Sequence, residues 1–274
     1  MAKKNKAFRP PPLPFSGNKK YWAGELYDEA ALLPSGCTVW DCFGGSGVCA
    51  RCIKDARPDV RVVWNDFDGY ADRLKHMPET ECLRRELLRV AGGEDKSTRE
   101  RRRLTDAECR AVQEVVRRHR DRYGFYDALC VRRWISIGVP RGFYDVEKPP
   151  AEQYAQVPCN PIDVSASLSW LDGLEVVRHS IQDLPISDGD FVILDPPYAA
   201  TCCAEYSGRE TFQVLKYARD LMLRCPFILF GDLSIQFWYD VLTERFNPRF
   251  LVKYDVSVTS YSGKSRSEIM YSNW

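Results

Sequence analysis

The residues best equipped for chemistry stand at the end of an apolar run. Phe191-Val-Ile-Leu194 has the unbroken, β-branched character of a strand covered on both faces, and it stops at Asp195-Pro196-Pro197-Tyr198. The two prolines forbid continuation of a ladder, so this tetrapeptide is expected at the carboxyl end of a central strand, where open α/β sheets bind ligands. A carboxylate and a proline carbonyl there are two hydrogen-bond acceptors, no proline N–H competes for the carboxylate, and the tyrosine ring adds a flat face. Such a set suits a planar group that presents an amine.

A second constellation lies nearer the amino end. Asp41-Cys-Phe43-Gly44-Gly45-Ser-Gly47 follows a short strand, Thr38 to Asp41, and opens a helix that runs from Val48 to Ala56. Glycines there let a ligand approach the backbone closely, and the helix amino end supplies free N–H groups. Asp66 ends the next strand, Val60 to Asp66, where a carboxylate can accept two hydrogen bonds from ribose hydroxyls. No Lys-Ser/Thr pair follows the glycines, which excludes a triphosphate-binding loop and favours an adenosine cofactor held without a phosphate clamp.

The elements that position these groups are legible from the pattern. Strand, glycine turn, helix and strand in succession form a right-handed βαβ unit on a parallel sheet. The α/β signal breaks off near residue 72, gives way to polar, arginine-rich helices, and resumes near residue 166 with LEVVRHSIQDL, a strand followed by a loop bearing Asp183. Within the interruption, Thr105 and Glu108 have capping-box spacing, Val112, Val115, Val116 and Tyr123 form an apolar stripe, and Gly124 ends the helix. A hairpin or loop is expected near Gly138 to Gly142. CPFILFGDLS reads as a further buried strand after a helix beginning near Glu210, and the chain closes with two antiparallel strands joined at Ser262-Gly-Lys264.

Composition narrows the class. At 274 residues and 45% hydrophobic content the chain can bury a sizeable core, and no apolar run approaches the length that spans a bilayer. A basic start without an apolar segment after it makes the cytoplasm the expected compartment. The eleven cysteines are scattered through regular elements, so reduced core thiols are expected; Cys49 and Cys52 have CxxC spacing but no companion pair, and no metal site is expected. Charge is segregated: residues 73 to 143 hold eighteen Lys/Arg against eleven Asp/Glu, whereas residues 181 to 240 hold four against nine. A basic middle beside an acidic segment fits a polyanionic partner.

Four separated segments resemble the Dam-type, α-class family of DNA adenine N6-methyltransferases: PFSGNKKYWAGEL from Pro14 to Leu26, DCFGGSG, DPPY and the closing SEIMYSNW, in the order usual for that class. The resemblance implies a Rossmann-like α/β fold with a seven-stranded, mostly parallel sheet (1–71 and 166–274) and an inserted, mainly helical target-recognition region (72–165). It implies S-adenosylmethionine as cofactor, with Phe15 and Lys19 closing over the pocket, Asp41, Phe43, Gly44, Gly45 and Gly47 cradling the methionine part, Asp66 on the ribose and Asp183 on the adenine ring. Asp195, also against the cofactor, and Pro196 would accept the N–H hydrogens of a target adenine flipped out of double-stranded DNA, Pro197 would hold the turn and Tyr198 would stack on the base. Arg101, Arg117, Arg132, Arg133 and Arg141 of the insert are the expected phosphate and base contacts. The segments usual in members that recognise GATC are missing; VRRWISIGVPRGFYDV stands there instead, so another recognition sequence is expected. Two alternatives stay open: another acceptor, RNA adenine or cytosine N4, or a catalytically silent protein of this fold that binds nucleic acid as a regulator.

Overall fold

Short β-branched segments become strands and polar periodic segments become helices. The computed structural model describes residues 8–15, 17, 19–92, 102–137, 142–196, 208–232, 249–256 and 266–274. Its strands are β1 (Thr38–Asp41), β2 (Arg61–Asn65), β3 (Glu175–Val177), β4 (Phe191–Leu194), β5 (Phe227–Asp232), β6 (Arg249–Val256) and β7 (Arg266–Ser272). They form one mixed, mostly parallel sheet in the order β3-β2-β1-β4-β5-β7-β6. β1 to β5 pair in parallel, and β7 runs antiparallel to both β5 and β6.

The strand order fixes where a ligand can sit. From β1 the chain moves outward to β2 and β3 and then returns to lay β4 on the other side of β1, so the order reverses between β1 and β4. A crevice opens at the carboxyl ends of strands at such a reversal. The register pairs Asp41 with Ile193, which puts Asp195 two residues beyond the partner of Asp41.

Packing explains the apolar runs. Val192, Ile193 and Leu194 of β4 and Phe227, Ile228 and Phe230 of β5 are buried because both sheet faces are covered. Trp40, Val63, Val192, Leu194, Phe227 and Leu229 share one face and pack with Ala218, Leu221 and Met222 of a helix spanning Gly208–Met222. β2 is one residue shorter at each end than the pattern predicts. The N–H of Val60 donates to the Arg57 carbonyl in a turn, and the Asp66 N–H still donates to the Val177 carbonyl of β3 while its side chain caps the following helix.

The chain divides into two compact units, one of Met1–Pro11, Gly17–Ala71 and Leu171–Trp274, the other of Pro12–Ser16 and Asp72–Trp170. In chain order the helices are α1 (Ala23–Ala30), α2 (Val48–Ala56), α3 (Tyr70–Lys75), α4 (Met77–Ala91), α5 (Asp106–Tyr123), α6 (Ala128–Trp134), α7 (Ser165–Leu171) and α8, the helix at Gly208–Met222. α5 carries the expected reciprocal capping box of Thr105 and Glu108, and Gly124 ends it in the left-handed conformation. Its buried stripe is Val112, Val115, Val116 and His119; Tyr123 only flanks His119, with the rings 4.6 Å apart. Glu81 of α4 grips Arg84, Arg85 and the N–H of Ile162, while Arg84 donates to the Pro158 carbonyl. Burial opposes ionisation of Glu81, yet these donors hold its carboxyl down at about 2. The returning proline-rich segment is thereby pinned to α4.

Candidate active site

The glycine turn is shaped by a tryptophan beneath it. A Cβ placed on Gly44 would lie 2.0 Å from Cδ1 and 2.3 Å from Nε1 of Trp64, and one on Gly47 would lie 3.0 Å from the same indole. Gly47 also has φ of 73° as the residue that starts α2, a conformation other residues rarely adopt. Trp64, fully buried on β2, is thus the floor of the loop, and among the described residues its indole N–H meets no acceptor.

Asp41, at the tip of β1, is 1% exposed, and its Oδ2 accepts the N–H of Ala50 at 3.0 Å in the first turn of α2. Burial pushes its carboxyl up to about 7; Asp195 adds to the rise, while the Ala50 N–H and Lys19 oppose it. An unfolded chain binds this proton with a pKa near 4, so between about pH 4 and 7 the folded state holds more protons and Asp41 opposes folding progressively as pH rises. Comparison with Asp41→Asn isolates this slope. The melting temperature of the parent, measured relative to the variant, should fall as pH is raised through that window; a flat difference would exclude a buried, proton-holding Asp41.

Two neighbours on β2 and its exit tie the strand tips together. Asn65, 2% exposed, donates through Nδ2 to the carbonyls of Cys42 and His179 and accepts the His179 N–H, all at 3.0 Å. One amide therefore binds the tips of β1 and β2 to the chain leaving β3. Both oxygens of Asp66 accept backbone N–H groups at the start of α3, from Tyr70 and Ala71, each at 2.7 Å. The start of α3 thereby sets the direction of this carboxylate.

At the end of β4 the Asp195 carboxylate is ion-paired with the ammonium of Lys19. Lys19 is 4% exposed, also donates to the Gly17 carbonyl at 3.0 Å, approaches Glu268 Oε1 at 3.2 Å and lies 5.4 Å from the centre of the Phe230 ring. Burial works against its charge, but Asp195 and Glu268 together keep its pKa above the ordinary lysine value. Asp41, Lys19, Asp195 and Glu268 make one electrostatic group at the carboxyl ends of β1 and β4.

The other expected residues fall in several places. Phe43 is half-buried against the sheet core, and Asp183 is exposed in a 3-10 turn, Ile181–Asp183, that follows β3. Phe15 belongs to the second unit, and Pro197, Tyr198, Arg101, Arg141, the loop near Gly138 and the turn at Ser262 to Lys264 lie outside the described residues. Arg117 is paired with Glu114 at 3.2 Å and Glu147 at 3.9 Å. Arg133 is exposed on α6 beside half-buried Arg132, and Asp127, which caps that helix, is anchored by Arg73 at 2.9 Å. Cys49 and Cys52 point their thiols into the interior on α2, and burial raises both pKa values. Sequence reasoning missed Trp64, Asn65, Trp22 and Glu268. Glu268 and Trp22 had a signal, their places in the SEIMYSNW and PFSGNKKYWAGEL segments.

The residues present fit a cationic adenosine cofactor: a glycine loop seated directly on the Trp64 indole, carboxylates at the strand tips, and backbone N–H groups at the start of α2. A shallow polar hollow lined by Lys54, Arg61 and Glu175 lies at the opposite, amino ends of β2 and β3. No family model matches the chain. A curated Haemophilus influenzae protein described as "Putative methyltransferase" is 29% identical over 250 residues, an alignment that covers 86% of this chain and 80% of the relative. Among solved structures, the 23S rRNA methyltransferase ErmE aligns over 93% of this chain and 67% of its own, at 12% identity and a TM-score of 0.39. The C-terminal domain of precorrin-6Y C5,15-methyltransferase from Rhodobacter capsulatus aligns over 96% and 97%, at 13% identity and a TM-score of 0.36. The chain is thus similar along most of its length to a protein described as a methyltransferase.

Proposed function

We propose that this protein is an S-adenosylmethionine-dependent methyltransferase that acts on N6 of an adenine flipped out of double-stranded DNA. The observation that carries the reading is the Asp195-Pro196 tip of β4, set beside the Asp41 glycine loop at the strand-order reversal and buttressed by buried Lys19. Similarity to the Haemophilus influenzae protein supports the methyltransferase class. The acceptor rests on the chemistry of the tip and on the basic middle of the chain.

The bound cofactor supplies an electrophilic methyl group on a positively charged sulfur. An adenine amine is a poor nucleophile because its lone pair is spread into the ring. With the Asp195 carboxylate and the Pro196 carbonyl accepting its two N–H hydrogens, the nitrogen is held with that lone pair turned toward the methyl group. Transfer of that methyl group to nitrogen would leave the sulfur neutral and the amine cationic, and the amine would then release its extra proton to solvent. Asp195 stabilises the positive charge while it develops. Lys19 would hold the carboxylate in place through their ion pair.

Incubation of the purified protein with unmodified duplex DNA and tritiated S-adenosylmethionine should label the DNA, and modification-sensitive sequencing should place the label on adenine in one short sequence. Label on RNA alone, or on cytosine, would overturn the acceptor assignment; no affinity for the cofactor by calorimetry would overturn the enzyme assignment. Arg132 and Arg133 supply a further expectation. Replacing both with alanine should weaken DNA binding and reduce the slope of log affinity against log salt by about one for each phosphate no longer neutralised, measured by fluorescence anisotropy. An unchanged slope would remove α6 from the interface.

A further inference from the structure

We infer that Glu268 is a positioning residue for Asp195: it gives Lys19 a second carboxylate partner, so the lysine can steady Asp195 while leaving it available to the acceptor. The inference rests on the methyl-transfer reading and assigns a role to a residue outside the DPPY and glycine segments.

Glu268 is fixed at one oxygen and offers the other. Its Oε2 accepts the indole N–H of Trp22 at 2.7 Å, and Trp22 is fully buried, edge-on to Phe230 with ring centres 5.6 Å apart. Its Oε1 faces the Lys19 ammonium at 3.2 Å, the same group that pairs with Asp195 and donates to the Gly17 carbonyl. The backbone is equally constrained, because β7 is paired on both edges and Glu268 stands opposite Asp232 of β5 and Tyr254 of β6.

The electrostatic need is specific. A deeply buried ammonium with one carboxylate partner would bind it as its sole counter-charge, and any turn of that carboxylate toward a substrate amine would strand the cation. With Glu268 present, Lys19 stays paired whichever way Asp195 turns. Both carboxylates raise the lysine pKa, so the ammonium stays charged throughout.

Glu268→Gln removes the charge and keeps an acceptor for the Trp22 indole. Single-turnover methyl transfer to unmodified duplex DNA should fall about 30-fold in this variant, with calorimetric affinity for S-adenosylmethionine within about threefold of the parent. In a Lys19→Met background the same change should alter the residual rate less than about twofold, because its target is gone. Losses that multiply in the double variant, or a loss residing wholly in cofactor affinity, would overturn the inference. If the parent itself transfers no methyl group to DNA, the proposed function fails, and melting temperatures still decide the coupling. The shift caused by Glu268→Gln vanishes with Lys19→Met if Glu268 acts through the lysine; it persists in full if Glu268 merely supports Trp22, which would overturn the inference.

Discussion

Asp195→Ala should lower single-turnover methyl transfer by about a thousandfold or more while leaving the near-ultraviolet circular dichroism of the folded chain unchanged. The expected loss is large because one carboxylate serves two ends of the reaction. On the proposed mechanism it would accept an amine hydrogen that sets the direction of the lone pair, and it would meet the positive charge that develops on nitrogen as the methyl group arrives. The fold should survive because Lys19 keeps Glu268 and the Gly17 carbonyl as partners, and β4 remains paired with β1 and β5. Asp195→Asn separates the two contributions: it keeps an acceptor oxygen and loses the charge, so about a ten- to hundredfold loss is expected. A rate within tenfold of the parent in Asp195→Ala would remove this residue from the chemistry.

The second large effect comes from a single methyl group. Gly44→Ala should lower the melting temperature by several degrees and weaken S-adenosylmethionine binding at least about tenfold, because overpacking of a rigid site typically costs about 1–3 kcal/mol. The new Cβ would fall 2.0 Å from Cδ1 of Trp64, whose ring is locked in the interior of β2 and cannot swing aside as a long flexible side chain would. The loop must lift instead, and with it the backbone that a ligand would touch. Relief by a smaller partner tests the cause: the increment for Gly44→Ala should shrink markedly in a Trp64→Val background, although Trp64→Val itself is destabilising. An undiminished increment would mean that the clash with Trp64 is not what makes glycine necessary.

Much of the framework around this site is legible in the sequence. The strand at Thr38 to Asp41, the helix from Val48 and the strand at Phe191 to Leu194 are strongly patterned, and their ends carry glycine or proline punctuation that fixes boundaries within a residue. The capping box at Thr105 was equally plain, because its partners are three residues apart. What escaped depends on distant pairs. Trp64 reads as one more apolar strand residue until the loop before α2 is folded over it, and Asn65 reads as a strand-ending polar residue until His179 arrives 114 positions later. Glu268 and Lys19 meet across 249 positions, a proximity that local periodicity does not encode. The helical role of Asp66 was missed because an acidic residue at a strand tip suggested a ligand before it suggested a cap.

The antiparallel pairing of β7 also sets an order of assembly. Among the described residues β6 is joined to the sheet through β7, the strand that follows it in the chain, so residues 249–256 reach their place in the sheet only once residues 266–272 have been made. On a ribosome, the parallel strands, the glycine turn and the Lys19 and Asp195 side chains all emerge earlier. A nascent chain can therefore build the crevice before it possesses Glu268, and the last hairpin to close completes the electrostatics of the first elements to form.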